Sequence, residues 1–120
     1  MARIFFLPMM VAVLLSGTLA MDLTGDWKAS TGEDIYIRQI NNTVWYYGES
    51  SANENWTSVG YGTLEGNTIS LNWADVPKGN ASLMGTVTLG VTSDNELQVI
   101  DQTGGWASKG TKLIKVNSGF

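Results

Sequence analysis

Beyond residue 22 the chain alternates apolar and polar residues over short stretches, and no segment keeps apolar residues at helical spacing for more than a turn. The alternation is clearest at Ile69, Leu71 and Trp73, with Ser70, Asn72 and Ala74 between and after them. It returns at Leu83, Gly85, Val87, Leu89 and Val91, interleaved with Met84, Thr86 and Thr88. Successive strand residues point to opposite faces, so each stretch has one face to bury and one to leave in water. Such stretches come about every ten residues with turn residues between them. They predict eight strands, over about 25–30, 34–40, 43–50, 56–64, 68–74, 82–91, 96–102 and 111–116.

Asn41-Asn42, Glu65-Gly66-Asn67 and Ser93-Asp94-Asn95 supply residues that tolerate positive φ between consecutive strands. Connections this short hold no crossover helix, so neighbouring strands run antiparallel, up and down. Eight such strands can close into a barrel just wide enough to fill with side chains or to hold one small ligand. The expected fold is all-β, an eight-stranded antiparallel up-and-down β-barrel with its mouth at the longer connections near 51–55, 75–81 and 103–110.

The residues ahead of the barrel bear on where the chain works. Met1-Ala2-Arg3, an apolar run from Ile4 to Leu15 and the small-residue stretch Ser16-Gly17-Thr18-Leu19-Ala20 have the layout of a secretory signal peptide, with cleavage after Ala20. The run contains Pro8 and falls short of the roughly 20 residues that a spanning helix needs, so a retained anchor is not expected. Residues 21–120 then form one domain, secreted or periplasmic. The chain has no cysteine. Lipid attachment at the cut and disulfide stapling are therefore both closed to it. A domain of this size buries only about two thirds of its unfolded surface, so dense packing of its aromatic and β-branched residues must carry the fold.

Loss of the leader removes Arg3 and leaves six basic groups against eleven acidic ones, a net charge of −5. That sign repels phosphate backbones and anionic lipid, so neither a nucleic-acid partner nor a membrane-surface role is expected. Membrane-spanning strands take about 9–11 residues each, and eight of them would use nearly the whole mature chain, so insertion of the mature chain is not expected either.

Gly25-Asp26-Trp27, at the start of the first strand, resembles the Gly-x-Trp opening of lipocalin and avidin-like barrels, in which the tryptophan closes the barrel floor. Together with Tyr36-Ile37-Arg38-Gln39, Asn42-Thr43-Val44-Trp45 and Trp73-Ala74-Asp75-Val76-Pro77, it resembles a group of small secreted barrel proteins of no established activity. Trp73, the loop after it and Ala81-Ser82-Leu83-Met84-Gly85 are similar to the ligand-stacking tryptophan, lid loop and small-polar strand of avidins. Departures stand at Ala29, Gly48 and Thr111, where that family places polar partners of a ureido group. Unpaired ureido atoms would cost about 1–3 kcal/mol each, so biotin is not the expected ligand.

With neither histidine nor cysteine, the chain lacks the usual zinc ligands and the Ser-His-Asp and Cys-His nucleophile systems. No cofactor is expected. A carboxylate-dependent glycosidase would need two facing carboxyl groups, and Glu33, Asp34, Glu49, Asp75 and Asp101 are candidates only in being acidic. The expected answer is no enzyme. The aromatic set is more informative. Trp56, Trp73 and Trp106 flank the longer connections, where rings can stack on a flat or sugar-like ligand, although rings in a small barrel ordinarily fill the core. Arg38 points outward if Ile35 and Ile37 face the core; inward, it would need Glu49 or Asp101 as a partner, or an anionic ligand group. On the third strand, Val44, Tyr46 and Gly48 form one face and Trp45 and Tyr47 the other, and the alternation does not say which is inside.

Two functions from different classes follow. One is a binding protein holding a small, partly apolar or aromatic-stacking ligand, with Trp73, Tyr46, Arg38, Trp56, Trp106 and Asp101 as candidate ligand-binding residues. The alternative is a protein- or glycan-interaction module with a solid core and outer aromatics in contact with its partner. A cavity of about 300 Å³ or more lined by Trp73 favours the first. A packed interior with Trp45 and Tyr47 exposed favours the second.

Overall fold

The computed structural model describes residues 21–50, 56–76 and 82–117. The leader with its cleavage site at Ala20, most of the connection between the third and fourth strands, and residues 77–81 lie outside the described residues. Eight strands form: β1 (Gly25–Ala29), β2 (Asp34–Ile40), β3 (Thr43–Glu49), β4 (Thr57–Glu65), β5 (Thr68–Asp75), β6 (Met84–Ser93), β7 (Glu96–Gln102) and β8 (Lys112–Asn117). Each pairs antiparallel with its neighbours in sequence, and β8 returns to β1 to close the barrel. Strand ends fall within two residues of those predicted from alternation and turn chemistry.

Every strand sends alternate residues inward. Ile35 and Ile37 on β2, Val44 and Tyr46 on β3, Ile69, Leu71 and Trp73 on β5, and Val87, Leu89 and Val91 on β6 all enter one buried core. Arg38 therefore points outward. On β3 the inner face is Val44, Tyr46 and Gly48, while Trp45 and Tyr47 are 49% and 38% exposed. Glycines make this phase possible. A Cβ on Gly60, the residue opposite Tyr46 on β4, would stand 2.5 Å from the Tyr46 ring and 2.4 Å from the carbonyl oxygen of Asn72. The phenol ring occupies the space that a side chain at residue 60 would need.

Up-and-down order also sorts the connections. The three tight turns, at 41–42, 66–67 and 94–95, share one end of the barrel, and the other four connections share the opposite end. Asn41 and Gly66 in these turns adopt φ of 56° and 62°, in the left-handed region that such turns demand. The chain before β1 shuts the tight-turn end. Leu23 is wholly buried and accepts the Trp27 indole N–H at 2.9 Å, while its own N–H donates to the Gln39 side chain at 3.0 Å. Lys115 Nζ lies 5.6 Å from the centroid of the Trp27 ring and donates to the Asp22 carbonyl at 2.9 Å.

Candidate functional site

At the end with the longer connections the barrel opens into a cavity of about 400 Å³. Trp56, Trp73 and Trp106 all line it, so three of the six predicted ligand-binding residues meet in one place. Trp73 is buried in its wall at 5% exposure, with the indole N–H donating to the Thr103 carbonyl at 3.2 Å. Trp56 and Trp106 are half-buried at the rim. Ala29 and Thr111, two of the positions at which the chain departs from the avidin pattern, also line it.

Trp106 sits on the connection between β7 and β8, and three local features hold it there. Thr103 exchanges hydrogen bonds with Thr86: its N–H donates to the Thr86 carbonyl at 2.8 Å and its hydroxyl accepts the Thr86 N–H at 2.9 Å. Gly104 and Gly105 turn the chain at φ of 85° and 92°, and a Cβ on Gly104 would stand 2.1 Å from the Met84 carbonyl oxygen. The Gln102 side chain then accepts the N–H groups of Gly105 and Trp106, at 3.0 and 2.8 Å.

Gln102 reaches that connection because β7 carries a bulge. Val99 pairs with Leu89 and Asp101 with Thr88, which leaves Ile100 as an extra residue and reverses the alternation beyond it. Asp101 consequently faces outward, where a Lys109 ammonium lies 3.7 Å away, and takes no part in the cavity, against the sequence expectation. Arg38 is likewise displaced from the predicted site. It stands opposite Trp45 on the outer wall, beside a groove of about 330 Å³ shared with Asp26, Tyr36 and Tyr47. Inward placement would have put the guanidinium in the apolar core and turned Ile35 and Ile37 out to water, at a large desolvation cost.

Tyr46 has a different part from the one expected. At 5% exposure it lies beneath the cavity, its hydroxyl accepting the Trp106 indole N–H at 2.6 Å and sharing a hydrogen bond with Ser58 at 2.9 Å. It fixes a lining residue instead of presenting its own polar group to a ligand. Burial pushes its pKa up to about 12; the bonds to Ser58 and Trp106 oppose that rise, and the Asp75 charge adds to it.

Glu33, Asp75 and Ser58 were not among the predicted binding residues, yet all three line the cavity. Their signal was parity: Asp75 follows Trp73 by two residues, and Ser58 precedes the inward series Gly60, Gly62 and Leu64. Asp75 accepts the Leu83 N–H at 2.9 Å, and Glu33 accepts the Thr31 hydroxyl. The other acids considered for glycosidase chemistry are engaged elsewhere, Asp34 with Lys28 at 2.7 Å and Glu49 with the Tyr47 hydroxyl at 3.2 Å. No lysine or arginine is among the described lining residues.

A second aromatic surface lies outside the barrel. Trp45 stacks on Tyr61 with ring centroids 5.4 Å apart, and Tyr36 on Tyr47 at 6.0 Å, all four rings partly exposed across β2, β3 and β4. No protein family, no curated protein and no solved structure matches the chain.

Proposed function

We propose that the protein is an exported, non-enzymatic binding protein that takes one small, partly apolar ligand into the aromatic cavity at the open end of its barrel. The observation that carries this reading is convergence. Trp56, Trp73 and Trp106 come from three separate segments and meet around one cavity of about 400 Å³, in a barrel whose remaining interior is packed with Leu, Ile and Val together with Trp27 and Tyr46. That volume lies within the range of small-molecule sites, roughly 300–1,000 Å³, and apolar walls with a few fixed polar groups are their usual lining. Rings placed only to fill a core would be buried throughout, whereas Trp56 and Trp106 keep part of their surface at the rim.

Native mass spectrometry of protein purified from its own host tests the reading. A small molecule is expected to co-purify, to change tryptophan fluorescence on rebinding, and to lose affinity in Trp106→Phe. A ligand whose affinity is indifferent to both Trp106→Phe and Trp73→Phe would place binding elsewhere.

The stacked outer rings favour a second reading, a glycan contact on the β2–β4 wall. Exposed rings on a pleated face present flat apolar surfaces to sugar rings, and Arg38 and Asp26 beside them offer a donor and an acceptor for hydroxyls. Loss of glycan-array binding in Trp45→Ala with unchanged stability supports it; an array that the wild-type protein leaves blank removes it.

A further inference from the structure

We infer that the cavity selects a ligand bearing a positively charged nitrogen, a quaternary or protonated amine, with Trp56, Trp73 and Trp106 around the cation and Glu33 and Asp75 as its counter-charge. This rests on the reading of the cavity as the binding site and adds the ligand's chemical class.

The lining offers the Trp56 indole N–H and the Ser108 and Thr111 hydroxyls as polar groups, but among its described residues the charged ones are Glu33 and Asp75. The indole N–H groups of Trp73 and Trp106 are already spent on the Thr103 carbonyl and the Tyr46 hydroxyl, so the cavity meets these rings mainly as carbon and π-surface. Ring faces carry negative quadrupole charge and attract cations, more strongly where water is excluded. Ser58 shares its hydroxyl with Tyr46, and the Thr31 hydroxyl donates to Glu33. The carboxylates of Glu33 and Asp75 are acceptors only, and among the described residues each accepts one side-chain-directed hydrogen bond, from the Thr31 hydroxyl and the Leu83 N–H.

Basic residues near this end are engaged with acids of their own, Lys28 with Asp34 at 2.7 Å and Lys109 with Asp101 at 3.7 Å. A carboxylate ligand would meet like charge with no basic partner among the described lining residues. A neutral ligand could donate hydroxyl or amide hydrogens to the two acids but would leave their charge uncompensated. A cation gains from both rings and acids, and the −5 net charge of the mature chain draws it in.

Three probes of one shape test this: choline, its neutral carbon isostere 3,3-dimethylbutan-1-ol, and 3,3-dimethylbutanoate. Each is titrated into the mature protein by calorimetry and tryptophan fluorescence. Choline is expected to bind at least about tenfold more tightly than the alcohol, with the carboxylate weakest. Glu33→Gln with Asp75→Asn, both isosteric and checked for retained fold by circular dichroism, is expected to lower the choline-to-alcohol ratio severalfold, leaving the preference that the rings supply, while the alcohol's own affinity changes little. Equal binding of the alcohol, or tighter binding of the carboxylate, overturns the inference and leaves the cavity as a site for another ligand. Choline affinity unmoved by both the double variant and Trp106→Phe overturns the inference and the cavity reading together. Absence of choline binding overturns the inference alone, since the cavity reading is judged by the co-purifying molecule.

Discussion

The Trp106 indole N–H donates to the Tyr46 hydroxyl at 2.6 Å with the two ring planes 88° apart, a contact that joins residues 60 positions apart in sequence. Through it the connection between β7 and β8 is tied to the barrel interior. The edge-on ring contact and the hydrogen bond use the same pair of groups, so each fixes the geometry of the other.

Tyr46→Phe removes the oxygen but keeps the ring, leaving the Trp106 N–H and the Ser58 hydroxyl without this partner. Unfolding free energy measured in urea is expected to fall by about 1–3 kcal/mol. A double-mutant cycle with Trp106→Phe should return a coupling of about 1–2 kcal/mol. Strictly additive losses would mean that the pair contributes packing alone.

Stability should also fall in alkali. Tyr46 ordinarily ionises near 10 and in the folded protein only near 12, so between these values the unfolded chain loses a proton that the folded one retains. The stabilisation is complete below pH 10 and is lost as pH rises towards 12, by about 2–3 kcal/mol in all. Tyr36, also pushed upward by partial burial and then by the charges of Asp34, Glu49 and Asp26, tilts the curve in the same direction. Urea unfolding at a series of pH values should show the slope in the wild type and a shallower one in Tyr46→Phe.

Gln102→Ala withdraws the acceptor from two backbone N–H groups at the cavity rim. The expected cost to global stability is about 0.5–1.5 kcal/mol. Hydrogen exchange should report a local effect, with the Gly105 and Trp106 amides exchanging faster while those of β4 and β5 stay protected. Unchanged exchange at these two amides would show that Thr103 and the glycines hold the connection by themselves.

Two glycine substitutions separate crowding from backbone strain. Gly60→Ala drives a methyl group against the Asn72 carbonyl and the Tyr46 ring, at 2.4 and 2.5 Å, and is expected to destabilise by about 1–3 kcal/mol or more. Gly66→Ala meets nothing within 4 Å and costs only its φ of +62°, about 1 kcal/mol. Midpoints of thermal unfolding should rank Gly60→Ala below Gly66→Ala, and the reverse order would contradict the placement of Tyr46.

The amino-acid sequence by itself determined the eight strands, their antiparallel order and the end at which the longer connections gather. Each of these follows from a local quantity: the period-two alternation at Ile69, Leu71 and Trp73, or a turn residue such as Gly66. It also brought out Trp56, Trp73 and Trp106, because their positions beside long connections are visible in one dimension. Alternation supplies a period but no phase. On β3 both faces are apolar or aromatic, so only the glycines opposite, above all Gly60, decide that Tyr46 goes in and Trp45 out. On β7 the bulge at Ile100 reverses the phase in mid-strand, which sends Asp101 outward and turns Gln102 towards Trp106. The bond from Trp106 to Tyr46 needed the closed barrel, since nothing short of tertiary packing brings the β7–β8 connection onto the side chain of β3.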